Sequence, residues 1–182
     1  IYKKRRIAMD NMESAVQKAV EEGDEAFRTE INNYFDSRYV EALRIETHNG
    51  DISESEILFD FIHQVGHNKD EIKQLRGSSS RLLESYQTNA LFYWMRLYSS
   101  LLLKDTSKTD LQKDFKSGIE HFKNQYDWVE IDNTIEQLKD EIGHHDNESL
   151  KTFEWIIESE LTNIAVQRVK SMNKTILSDY GI

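Results

Sequence analysis

Apolar residues return every three or four positions along nearly the whole chain, and no proline interrupts them in 182 residues. That spacing keeps one side of a helix apolar, and proline is the residue that ends helices from within. No segment sustains the period-two alternation of a half-buried strand. Only 7 glycines are present, far too few for the turns that an all-β or α/β chain of this length would use. The chain therefore reads as all-α: a single compact domain over 1–182, with about eight helices in an antiparallel bundle or a helical-repeat-like stack. Its length suits one domain with a core large enough to need no metal or disulfide.

The periodicity divides the chain. Ile7 to Val20 carries a weak stripe, and Gly23 and Asp24 supply a stop and a new start. A second helix is expected over 25–46, with Phe27, Ile31, Tyr34, Phe35, Tyr39 and Leu43 on one side and a break conceivable at Tyr39 and Val40. His48 to Asp51 reads as a turn. Ser53 and Glu56 form a capping box before Ile57, Leu58, Phe61, Ile62 and Val65. Gly66 to Asn68 separates these from Ile72, Leu75, Ser79, Leu82, Leu83 and Tyr86. In that helix Gly77 and Ser78 to Ser80 mark either a close helix approach or a break.

Ala90 to Leu103 is apolar almost all round, as a central helix is. Thr109 and Gln112 form a second capping box ahead of Leu111, Phe115, Ile119, Phe122 and Tyr126. Trp128, Ile131, Ile135, Leu138 and Ile142 follow at alternating spacings of three and four. Gly143 to Asn147 reads as a turn. A last helix over 148–177 places Leu150, Phe153, Ile157, Leu161, Ile164, Ala165, Met172 and Ile176 on one side.

Charge is unevenly spread. There are 23 basic and 33 acidic residues, a net −10. Lys3, Lys4, Arg5 and Arg6 give +4 with no acid among the first six, so residues 7–182 carry −14. An acidic body repels nucleic-acid phosphates and lacks the basic face of a membrane-surface helix. The most apolar stretch, Ala90 to Leu103, is too short to span a bilayer and contains Arg96. No signal peptide follows the basic run. The absence of cysteine excludes disulfides, a thiol nucleophile and thiolate-ligated zinc.

Motifs for chemistry are incomplete. His63 and His67 stand four apart, a spacing that suits one metal ion, but Gln64 occupies the place of a zinc protease's glutamate and no third ligand is set by spacing. His144, His145 and Asp146 lie together where a solvated turn is expected. No Glu-x-x-His pair of a di-iron bundle occurs, since His121 directly follows Glu120 and Ile142 precedes His145 by three. Arg44 and His48 are too close for the pair of a helical ribonuclease toxin. Ser78 to Ser80 lack a nucleophile elbow, and no phosphate-binding loop is present. Phe92, Tyr93 and Trp94 beside Arg96 would suit base stacking, but their place on the most apolar helix points to core packing. No catalytic residue, metal or cofactor is expected.

Three stretches add a family likeness. The run KKRRIAMDNMESAVQKAV at 3–20, INNYFDSRY at 31–39 and RGSSSRLLESYQTNALFYWMRLYSSLLL at 76–103 together resemble the helical extension that follows the motor of RecQ-like bacterial superfamily 2 DNA helicases. The resemblance carries no catalytic residue. It implies a piece of a larger cytoplasmic protein in DNA metabolism, meeting other domains of that chain or a protein partner, with nucleic acid reached through the parent. The sequence therefore leads to a non-catalytic helical interaction or regulatory domain. The competing expectation is a nucleic-acid-binding helical domain that uses Lys3, Lys4, Arg5 and Arg6 with Arg76 and Arg81.

Overall fold

The computed structural model describes residues 25–48, 54–122 and 128–181. Seven helices lie among them: α1 (Glu25–His48), α2 (Glu54–Val65), α3 (Lys69–Ser85), α4 (Ala90–Leu103), α5 (Lys108–Glu120), α6 (Trp128–His145) and α7 (Asn147–Asp179). No strand occurs among the described residues. The fold is all-α, with seven helices described where eight are expected. The expected helix over 7–20, Ser53 of the first capping box and Tyr126 lie outside the described residues.

The sequence reads as one domain, and the structure groups it into two compact units, residues 1–45 and 46–182. Helix α1 runs without a break through Tyr39 and Val40 to His48, with its residues up to 45 in the first unit. Phe35 and Tyr39 are buried, and the ring of Tyr34 meets Phe35 edge-on at 6.0 Å.

The second unit is organised by α4. This helix packs most extensively on its sequence neighbours α3 and α5, and it also touches α2, α6 and α7. Leu91, Phe92, Trp94, Met95, Leu97 and Tyr98 are all essentially inaccessible to solvent. Burial on every side is what an all-round apolar helix requires, because each large apolar side chain taken out of water contributes about 1.5–3 kcal/mol. The glycine and serine residues of α3 do not break it. Ser78 and Ser79 are buried, and Ser79 Oγ donates to the Arg76 carbonyl at 2.9 Å.

Short polar residues set the helix ends. Gly66 takes a left-handed φ of 55° after α2. Asn68 Oδ1 then accepts from the amides of Asp70 and Glu71 to start α3, and Asn89 Oδ1 accepts from Leu91 N to start α4. The capping box before α5 is Ser107 with Asp110, two residues earlier than the expected Thr109 and Gln112. Ser107 Oγ accepts from Asp110 N at 3.2 Å and donates to Asp110 Oδ2 at 2.7 Å. The Ser107 hydroxyl satisfies the orphan amide of Asp110, and the Asp110 carboxylate holds that hydroxyl in place. Gln112 is thereby released to bond Ser159 Oγ of α7 at 2.8 Å.

The expected turn at 143–147 contracts to one residue. Helix α6 continues through His145, and Asp146 alone links it to α7. Asp146 Oδ2 caps α7 by accepting from Ser149 N at 2.9 Å. Lys104, at the end of α4, reaches both Asp146 and Glu148, at 2.8 and 2.9 Å. These contacts hold the Asp146 carboxyl well below the usual carboxylate range, chiefly through the Lys104 hydrogen bond, and raise the Lys104 ammonium.

Candidate interaction surface

Of the expected basic residues, the structure describes Arg76 and Arg81. Lys3, Lys4, Arg5 and Arg6 lie outside the described residues. Arg76 is paired with Asp105, which lies below the usual carboxylate range because of that bond. Arg81 Nη2 donates to Ser78 Oγ at 3.2 Å. Five positions apart on α3, the two arginines leave the helix about 140° apart around its axis.

The aromatic run on α4 is spent on packing. Phe92 and Trp94 are in the core, and the Trp94 ring stands edge-on to Phe115 at 5.7 Å. The Tyr93 hydroxyl donates to the Gln87 carbonyl at 2.8 Å, and its ring stacks on His121 at 5.8 Å. Arg96 grips Asp114 of α5 in a two-pronged pair at 2.8 and 2.6 Å. Asp114 is only 5% exposed, as is Glu160 of α7 beside Lys116 at 3.4 Å. Carboxylates ordinarily stay on solvated helix faces. These two are the exceptions, each buried with a cation from a neighbouring helix.

His63 and His67 are brought to new partners on α6. The His63 ring N–H donates to Glu141 at 2.6 Å, and the His67 ring lies 3.9 Å from that of His145. Ser55 Oγ sits 2.7 Å from Thr134 Oγ1 on the same two elements. These pairings, each near 78 residues apart, mean that α2 and α6 run parallel in register. His145 is therefore half-buried against His67 and not in a solvated turn. Burial and the neighbouring His67 lower its pKa, against a raising contribution from Glu141. Tyr98 is buried below the group with its hydroxyl unpartnered among the described residues, and burial pushes its pKa up. Among the described residues no group of three or more His, Asp or Glu is arranged to hold a metal ion. The cluster is a helix-to-helix clasp.

What the sequence misses lies on α7. Its buried positions are Ser149, Phe153, Ile156, Glu160 and Ile164. Beyond them Arg168 still reaches back, paired with Asp132 and lying over the Trp128 ring. The expected stripe does not stay inward. Residues four apart advance about 40° past a full turn, so a stripe built on repeated fours winds off the inner face. Leu161, Val166, Val169, Met172, Ile176, Leu177 and Tyr180 are 45–77% exposed. Leu161, Ala165, Val169, Met172 and Ile176 form a continuous outer stripe about 140° around the axis from the inner face. A cue was present in the sequence: beyond Ile164 the inward positions are Gln167, Ser171, Lys174 and Ser178, with no large apolar residue among them.

No helix among the described residues is long and apolar enough to cross a membrane. Comparison with protein-family models, curated proteins and solved structures finds no match to this chain.

Proposed function

We propose that this chain is a non-catalytic helical interaction or regulatory domain of a larger cytoplasmic protein, and that its contact surface is the C-terminal half of α7. The observation that carries the reading is the run of large apolar side chains left in solvent between Leu161 and Tyr180. A monomer rarely leaves a contiguous apolar patch beyond a few hundred Å² uncovered, and larger ones mark interaction sites. Supporting it, the side chains that chemistry would need are engaged in structure. Histidines clasp helices, buried acids hold cations, and the aromatic run fills the core. The resemblance to the extension of RecQ-like helicases supports a setting beside a DNA-processing motor.

The test is a photo-crosslinking amino acid placed singly at Val169, Met172 and, as a control, Val129, which is 70% exposed on α6. In cells producing the chain, positions 169 and 172 should give discrete protein adducts and position 129 should not. Equal or absent adducts at all three positions would end the proposal.

A further inference from the structure

Resting on that reading of α7, we infer that the surface is covered by a second copy of this chain, with the two helices antiparallel about a midpoint between Lys170 and Ser171. Three observations converge on this occupant. The first is area. On the stripe, Leu161, Val169, Met172 and Ile176 are 49–62% exposed, enough apolar surface for a contact at the small, reversible end of the range. The segment 161–180 is about 30 Å long, enough for such a contact along two helices.

The second is fit. An isologous contact must match a surface to itself. With the midpoint at 170–171, Val169 meets Met172 of the other copy, Ala165 meets Ile176, and Leu161 meets Tyr180. Each small residue thus faces a large one. An in-register parallel pair would set Ala165 on Ala165 and leave a gap, and would stack Asp179 on Asp179.

The third is charge. Residues 161–182 hold three cations, Arg168, Lys170 and Lys174, and one anion, Asp179. With the chain at −10, residues 1–160 therefore carry −12. A parallel pair would bring two acidic bodies together at one end, whereas the antiparallel pair holds them at opposite ends with the cationic helices between. Lys170 and Lys174 lie on the far side of α7 from the stripe, so neither is pressed into the contact.

The experiment is sedimentation of the purified chain across about 1–100 μM, where a contact of this size should cross from monomer to dimer. The mass should rise toward twice the 21.5 kDa of one chain. Val169→Glu and Met172→Lys should each weaken association by at least about tenfold without changing the helical circular dichroism, because both side chains lie in solvent in one copy. The combination Val169→Glu with Met172→Lys should regain most of the association, since the antiparallel pairing sets each new acid against a new base. A parallel pair would stack like charges and lose further. Unchanged association in the single variants, or no recovery in the combination, overturns the proposal. A chain that stays monomeric while position 169 still crosslinks in cells removes the second copy and leaves the interaction surface standing. Monomer with no crosslink removes both.

Discussion

Gly118 of α5 lies against the face of Trp94, and a methyl group there has nowhere to go. A Cβ added at this position would sit 2.8 Å from Cε2 of the indole and 3.0 Å from Cδ2 and Cζ2. The ring is no flexible tip that could swing aside. Trp94 is 1% exposed and wedged edge-on against Phe115, which itself stands edge-on to Phe153 of α7. Two effects oppose each other in Gly118→Ala. Alanine gains about 1 kcal/mol over glycine in a helix interior. Overpacking a well-filled core costs about 1–3 kcal/mol. The closeness of the ring makes the second effect win, so the net expectation is a loss of up to about 2 kcal/mol. Urea unfolding followed by circular dichroism at 222 nm reads this as a lower midpoint with an unchanged slope. Trp94→Leu, costly in itself, removes the obstacle. In that background Gly118→Ala should be neutral or stabilising by up to about 1 kcal/mol, an interaction energy near 2 kcal/mol between the two sites. A Gly118→Ala variant more stable than the parent, or one with equal effects in both backgrounds, would refute the argument.

Asp114→Ala should cost about 3–5 kcal/mol by leaving Arg96 part-buried without its partner, whereas Arg96→Met with Asp114→Leu should recover most of the loss; equal losses in the two variants would show that the pair's charge is not what matters. The pH dependence follows from His145 and Asp146. The folded state lowers the His145 pKa, so the unfolded chain takes up the proton first, and stability should fall as pH drops below about 6.5. His145→Gln should flatten that slope in melting temperatures taken between about pH 7.5 and 5.5, and an unchanged slope would show that His145 does not govern it. The depressed Asp146 carboxyl adds a second loss below about pH 4, which Asp146→Asn should remove.

Much of this fold is visible in the sequence because it depends on local rules. Ala90 to Leu103 is recognisable as the central helix from composition alone, and the inward faces of α2, α5 and α6 follow from spacings of three and four. Asn89 and Asn68 cap as short polar residues do. Where local rules offer two equivalent answers, the sequence cannot choose between them: Ser107 and Thr109 both begin plausible capping boxes, and only packing against α7 selects the first. The pairings are less visible still. Arg96 with Asp114 spans 18 residues, and His63 with Glu141 spans 78. Such contacts exist only once helices have taken a register that no single segment encodes. The α7 surface was hidden for another reason. Periodicity reports that one side of a helix is apolar, but not whether that side has anything to lie on.

The placement of α4 has a consequence for how the second unit comes apart. Five helices lean on α4, and ten of its fourteen residues are buried. No one of its major neighbours can detach without wetting large apolar side chains, so the unit should open as a single cooperative block. Amide hydrogens of 90–103 would then exchange with solvent only through unfolding of the whole unit, at the slowest rate among the described residues. Those between 169 and 180, with little beneath them, would exchange by local fraying. The same polypeptide would thus hold its most and least persistent hydrogen bonds in helices less than 70 residues apart. The persistent one supports its own fold, and the transient one stays free to be ordered by whatever it meets.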